Sequence, residues 1–212
     1  MSEGAAKVDF KRVLPGYSAR RGRIDDLVLP AAQYLAVDGV GDPNRAQAYR
    51  EALEAVYPVA YALKFWSKRE LGRDYVVPPL EALWWADEYA AFTSARDKSA
   101  WSWTVLLYVP EWLGAADVDA AIAAVRAKSG GGAALALVRL LALAEGRCLQ
   151  TLHVGPYDEE GPVLARMHDE IMPAAGLRPV GKHHEIYLSD ARRVAPEKLR
   201  TILRQPVAKV GT

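Results

Sequence analysis

Alternation and helical spacing divide the chain into strand-like and helix-like stretches behind a basic arm. Gln33–Val37 alternates as a strand, Gly39 and Gly41 break it, and Asp42-Pro43-Asn44 can turn the chain and cap a helix. The helix predicted from about Arg45 to Val56 carries Tyr49, Leu53 and Val56 on one stripe. Val59–Phe65 then reads as a strand, with Tyr61, Leu63 and Phe65 alternating against Ala62 and Lys64. The charged run Ser67–Asp74 predicts a loop or hairpin tip. Pro78-Pro79 precedes LEALWWA, apolar on both faces and therefore a central strand. Trp101–Val109 is another strand. Asp117 caps a helix that buries Val118, Ile122 and Val125, and Ser129-Gly130-Gly131-Gly132 ends it as a flexible joint. LALVRLLAL and RCLQTLHV flank Glu145-Gly146 as a hairpin, although the first arm also fits a helix. A helix from about Glu160 to Ala174 stops at Gly176, the strand HHEIYLS follows, and a short helix begins at Pro196.

Two stretches repeat one order of elements. AAQYLAVDGVGDPNRAQAYREAL and CLQTLHVGPYDEEGPVLARMHDEI each run from strand through Gly, Pro and Asp into helix, with Gly41 and Gly155 114 positions apart. The expected fold class is α+β: duplicated β-α-β-β modules forming a curved, mainly antiparallel sheet, helices on one face and a ligand cleft on the other. The expected division is an arm over 1–30, one domain over 31–207 in halves of about 31–112 and 113–207, and a tail over 208–212.

Composition narrows the function classes. Lys and Arg number 27 against 26 Asp and Glu, so the net charge of +1 gives no reason to expect a nucleic-acid or membrane partner. The basic segment KVDFKRVLPGYSARRGR reads as an extended surface arm, with a phosphate-binding tail as the alternative. Cys148 is the single cysteine, which excludes an internal disulfide and suits a reducing compartment. With no signal-peptide core at the N-terminus, and with 133–144 too short to span a bilayer, the expected location is the cytoplasm.

The candidate chemistry lies in His183–Ser189. Alternation places His184, Ile186 and Leu188 on one face, toward the helices, and His183, Glu185, Tyr187 and Ser189 on the open one. Glu185 beside Tyr187 on a cleft wall could shuttle a proton or pair with a cation; the plainer alternative is a rim salt bridge from Glu185 to Lys182 or Arg192. Aromatic residues are the second signal. Six tryptophans concentrate between Trp66 and Trp112, Trp101 and Trp103 share a face, and so do Tyr61 and Phe65. Trp84 and Trp85 must face opposite ways; Trp85, sharing parity with the polar Glu81, is the one expected in the cleft. Each ring is individually more at home in a core, but two or three around Glu185 would make an aromatic box. Other motifs fail. Gly39-x-Gly41 has Asn44 in place of a third glycine, which argues against a dinucleotide. His183 and His184 point to opposite faces, so they cannot chelate together. Cys148 and His153 differ in parity, against a thiol–imidazole pair. No cofactor or metal is expected.

Four segments together carry a family resemblance: Tyr34-Leu-Ala-Val-Asp38-Gly39-x-Gly41-Asp42-Pro43, Pro79-Leu-Glu81-x-Leu-Trp84-Trp85, His153-Val-Gly155-Pro156-Tyr157-Asp158-Glu159, and Gly181-Lys182-His183-His184-Glu185-Ile186-Tyr187-Leu188-Ser189-Asp190. Over roughly Asp9 to Val207 the chain resembles the stand-alone GyrI-like, or gyrase-inhibitor-like, small-molecule-binding proteins. The resemblance implies two SHS2-type β-α-β-β modules and a buried glutamate among aromatic rings. The Trp84-Trp85 pair and the Glu185–Tyr187 strand are most similar to a subfamily of cyclopropanoid cyclopropyl hydrolases, which open the strained ring of DNA-alkylating natural products. Glu185 and Tyr187 are then the expected catalytic residues, with Tyr61, Phe65, Trp84, Trp85, Trp103, Tyr157 and His183 as ligand contacts. The expected partner is a hydrophobic small molecule. A non-catalytic sensor of hydrophobic cations is the alternative function, and inhibition of a protein partner such as DNA gyrase is a third; the sequence identifies no protein partner.

Overall fold

The apolar runs become nine strands among the described residues of this computed structural model, which are 6–86, 98–130 and 132–211. They are β1 (Asp25–Leu29), β2 (Ala32–Val40), β3 (Leu80–Trp85), β4 (Ser102–Val109), β5 (Arg139–Leu143), β6 (Gly146–Val154), β7 (Leu177–Pro179), β8 (His183–Tyr187) and β9 (Arg200–Lys209). Their sheet order is β1-β6-β9-β8-β3-β4-β2-β5, with β7 added beside the end of β9, and every strand pair is antiparallel. The set β6-β9-β8 therefore meets the set β3-β4-β2 across the β3–β8 pair, where Ala82 lies opposite Glu185 and Trp84 opposite His183. Gly41 directly follows β2 and Gly155 directly follows β6. Both hold positive φ, 99° and 145°, so the two turns require glycine at matching places.

The helices are α1 (Phe10–Val13), α2 (Gln47–Glu70), α3 (Ala115–Ser129), α4 (Gly161–Ala165) and α5 (Met172–Ala174), the last two joined by a π-helical stretch over Arg166–Ile171. α2 covers β2 and β4 through Val56, Val59 and Leu63, which meet Leu35, Val105, Leu107 and Trp103 in the main core. The 161–174 segment covers β6 and β9 through Met167, Met172, Leu149 and Val207. Between these two helical layers the middle strands β3 and β8 are left uncovered. Trp103 lies flat against Gly39, where a Cβ would come within 2.2 Å of its ring, so only glycine admits the indole there.

The opposite face is closed by the N-terminal arm. Phe10 and Tyr17 are buried, and single parallel bridges tie Val8 to Tyr75 and Arg21 to Leu152. Beneath the arm lies a buried ionic cluster. His184 sits between Glu81 and Glu145, each 2.9 Å away, and Arg204 reaches Glu145 at 2.9 Å, Gln150 at 3.1 Å and the Gly16 carbonyl at 2.6 Å. Tyr17 donates to Glu81.

Three local expectations are corrected. Val59–Phe65 is not a strand but the second half of α2, whose 24 residues run through Pro58. Proline removes the hydrogen bond to the Glu54 carbonyl at a cost of about 3 kcal/mol. Val56, Val59 and Leu63 are completely buried, and at roughly 1.5–3 kcal/mol each they outweigh that loss. β5 and β6 do not form a hairpin: β5 pairs with β2, and β6 with β1 and β9. The two residues between them link opposite ends of the sheet, just as Pro30-Ala31 links β1 to β2, so the sheet must curl until its ends meet. Finally, within the expected α+β architecture, Glu185 and Tyr187 project toward the helix-bearing side. His184 and Ile186 take the other face, because the arm and the ionic cluster bury it. Gly131 of the expected joint lies outside the described residues; Gly130 ends α3 with φ of 74°.

Candidate functional site

The gap over β3 and β8 is a cavity of about 1130 Å³. Its floor is Trp84 from β3 and Glu185 and Tyr187 from β8, brought to one face by the Leu80↔Tyr187 and Ala82↔Glu185 register. α2 forms one wall with Tyr49, Leu53, Tyr57 and Tyr61. The loop after β6 forms the other with Tyr157 and Glu160, steered there by Gly155 and by a 3.0 Å contact between His153 Nε2 and the Pro156 carbonyl. Trp101 closes the end beside Trp84, their rings 5.7 Å apart at 67°, and Tyr49 stacks on Trp84 at 6.0 Å.

A chain of hydrogen bonds crosses the floor. Trp84 Nε1 donates to the Tyr187 hydroxyl at 3.1 Å, and Tyr187 donates its single proton to Glu185 Oε2 at 2.7 Å. Burial first, and Glu185 next, hold the Tyr187 phenol well above its usual pKa, so that proton stays in place. The indole and the phenol thus fix the Glu185 carboxylate as an acceptor facing the cavity. Glu160 is a second carboxyl on the same cavity, only 6% exposed, and its Oε1 has no hydrogen-bond partner in the structure. Burial, and then repulsion from Glu185, hold it well above the ordinary carboxyl range. One carboxylate held by a phenol that an indole positions in turn, and one carboxyl kept neutral by its surroundings, is an arrangement that can separate a base from an acid.

Of the residues singled out from the sequence, the cavity gathers Glu185, Tyr187, Trp84, Tyr157 and Tyr61. Trp85 is on the other face, where Lys182 Nζ lies 3.1 Å from its ring centre. The parity argument for Trp85 fails because Glu81 is buried in the ionic cluster, not exposed on an open face. Trp103 is fully buried on the cavity side of the sheet but lies under Tyr49, and does not reach the cavity. Phe65 projects outward beyond Tyr61 and stacks on it at 6.4 Å. His183 stands beside the site, 3.6 Å from Glu185, without lining it. The plainer alternative, a rim salt bridge from Glu185 to Lys182 or Arg192, is not among the described contacts; Arg192 pairs instead with Asp190 at 2.9 Å, and Lys182 lies over Trp85. Sequence reasoning missed Tyr57, Trp101 and Glu160 as cavity residues and took Tyr49 for core. The i, i+4 spacing of Tyr49, Leu53, Tyr57 and Tyr61 was the available signal, hidden by reading the second half of α2 as a strand. Nothing local distinguishes Glu160 from its acidic neighbours.

The profile of the GyrI-like small-molecule-binding domain matches residues 27–208. The chain belongs to that family. It resembles an uncharacterized conserved protein from Listeria innocua at 37% identity and a TM-score of 0.86, over 95% of this chain and all of that one. A hydrolase from Listeria innocua aligns at 35% identity and a TM-score of 0.82, again over 95% of this chain and all of the other. The EcmrR C-terminal domain shares the fold at 12% identity and a TM-score of 0.51, over 89% of this chain and 98% of that domain. No functionally curated protein matches the sequence. Among the described residues no helix is long and apolar enough to cross a membrane.

Proposed function

We propose that this GyrI-like protein is a hydrolase that opens activated cyclopropanes in flat, hydrophobic electrophiles. The observation that carries the reading is Glu185, held by Tyr187 and through it by Trp84, in an aromatic cavity that the buried carboxyl of Glu160 also lines. Glu185 takes a proton from water as the water oxygen bonds to the ring CH₂. The strained C–C bond breaks, its electron pair moves into the conjugated carbonyl, and Glu160 gives its proton to the resulting phenolate oxygen. The net change is addition of one water. Tyr187, expected with Glu185 to be catalytic, has its proton engaged by Glu185 and is better read as the residue that orients the base. The hydrolase from Listeria innocua, similar over its whole length, supports a hydrolytic reading at the coarse level.

Glu185→Gln tests this. The amide retains size and shape but cannot accept the proton, so turnover should fall by about 10²–10⁴-fold while ligand binding persists. The assay is mass spectrometry for the product heavier by one water, and undiminished product from Glu185→Gln would overturn the assignment. A second reading, a non-catalytic receptor for hydrophobic cations, draws on the same carboxylate among indole and phenol faces. It predicts that a permanently charged aromatic dye is bound, is recovered unchanged, and is lost on Glu185→Gln.

A further inference from the structure

A second cavity, of about 420 Å³, lies on the face of the sheet opposite Glu185, where the arm closes the curl. That volume falls within the roughly 300–1000 Å³ of small-molecule sites. Both short connectors of the sheet border it: Pro30-Ala31 between β1 and β2, and Glu145 between β5 and β6. The arm completes the wall with Leu14–Tyr17. The sides are apolar at Leu14, Leu29, Val109 and Leu143, and the buried end gathers Tyr34, Glu81, Glu145 and Arg204. None of these polar groups takes part in the chemistry proposed at Glu185.

The hydrogen-bonding capacity left at the buried end is acceptor capacity. Arg204 already donates from all three of its nitrogens, to Gln150 at 3.1 Å, to Glu145 at 2.9 Å and to the Gly16 carbonyl at 2.6 Å. Each oxygen of Glu81 and Glu145 takes one contact: Tyr17 and His184 on Glu81, His184 and Arg204 on Glu145. A carboxylate oxygen can accept two. Tyr34 is only 6% exposed and borders the cavity, yet its hydroxyl makes no hydrogen bond with the described residues. Charge has the same sign. His184 and Arg204 balance Glu81 and Glu145, and Glu111, exposed beside the cavity, adds a further negative charge. After burial itself, Glu81 acts most strongly on both Tyr17 and Tyr34, ahead of Arg204, and holds their protons in place.

We propose that this second cavity binds a small organic cation, a primary ammonium on a short apolar or aromatic body. The ammonium donates toward Glu81, Glu145 and the Tyr34 hydroxyl, and the body lies against Leu29, Val109 and Leu143. A head that only donates suits an end rich in spare acceptors, whereas an anion meets two carboxylates and a guanidinium already engaged. The site is separate from the cavity at Glu185 and independent of whether that cavity hydrolyses its ligand.

Isothermal titration calorimetry at neutral pH with three probes of similar shape tests this: 2-phenylethylamine, 2-phenylethanol and 3-phenylpropanoate. The amine should bind about tenfold or more tighter than the alcohol, and the carboxylate more weakly than either. Tyr34→Phe removes one hydroxyl and should erase most of the amine's advantage over the alcohol. Leu143→Trp fills the cavity and should abolish binding of the amine, with far-ultraviolet circular dichroism showing both variants folded. Glu185→Gln should leave the amine's affinity within about twofold. Absence of amine binding, an equal affinity for the alcohol or the carboxylate, or an unchanged amine affinity in Tyr34→Phe would overturn the proposal. So would loss of the amine in Glu185→Gln with its retention in Leu143→Trp, which would place it in the other cavity.

Discussion

Replacing Trp84 and replacing Trp85 should have sharply different consequences. Trp84 is 4% exposed, stacks on Tyr49, meets Trp101 edge-on and donates to Tyr187. Truncation to alanine removes a buried aromatic, about 3–5 kcal/mol, and the lost hydrogen bond adds about 1 kcal/mol, so the upper part of that range is expected. At about 2–4 °C per kcal/mol for a chain of this size, the melting temperature should fall by roughly 8–20 °C. Trp85 is half-buried on the other face and holds a contact with Lys182, worth about 0.5–1 kcal/mol where solvent reaches it. Trp85→Ala should cost about 1–2 kcal/mol and leave ligand binding unchanged. Trp84→Phe keeps a ring in the cavity floor but loses the N–H to Tyr187 and part of the indole's buried area, and should destabilise by about 1–2 kcal/mol, well short of the alanine variant. Turnover should nevertheless fall in Trp84→Phe, because Glu185 loses part of its orientation, and it should not fall in Trp85→Ala. Thermal melts by circular dichroism avoid dependence on the deleted fluorophores, and product formation supplies the second axis. If Trp85→Ala lost more turnover than Trp84→Phe, the assignment of the two faces of β3 would be wrong.

Two pH-dependent predictions follow from the buried carboxyls. Glu160 has a folded-state pKa above its unfolded one, so the folded protein binds the extra proton and Glu160 lowers stability progressively as pH rises above about 4.5. Glu160→Gln should remove that decline, melting higher than the parent at pH 8–9 and nearly the same at pH 4, while turnover drops; equal melting curves at high pH would refute the neutral-acid role. Glu145 shows the opposite sign: burial opposes its charge, but His184 and Arg204 prevail and bring it down to about 2. Its stabilisation is present above about pH 4.5 and is lost as pH falls toward 2. Glu145→Gln leaves His184 and Arg204 buried without their shared carboxylate, so it should cost about 3–5 kcal/mol in denaturant melts at pH 7 and much less at pH 3. A cost independent of pH would exclude the ionic account.

The local geometry of the site was legible in sequence, while its placement in the fold was not. Strand parity survives whatever the tertiary context, and it put Glu185 and Tyr187 side by side from HHEIYLS alone. Parity cannot say what covers each face. The expectation that Ile186 and His184 meet helices assumed that only helices bury a strand, yet here the second face is buried by an arm and by ions. That cluster draws on Tyr17, Glu81, Glu145, His184 and Arg204, residues far apart in the chain that have no common period to betray them. The same hidden partner reversed the Trp84–Trp85 choice: a glutamate on a strand suggests solvent until a histidine from another strand neutralises it. Val59–Phe65 failed differently. Seven residues are short enough to satisfy alternation and helical spacing together. The longer window resolves the ambiguity, since Ala52, Val56, Val59, Ala60 and Leu63 continue one helical face across the proline. Once that face is fixed to the core, the remaining stripe from Tyr49 to Tyr61 can only turn toward β3 and β8. Aromatic residues on the second half of α2 thus become a cavity wall by the same periodicity that was first mistaken for a strand.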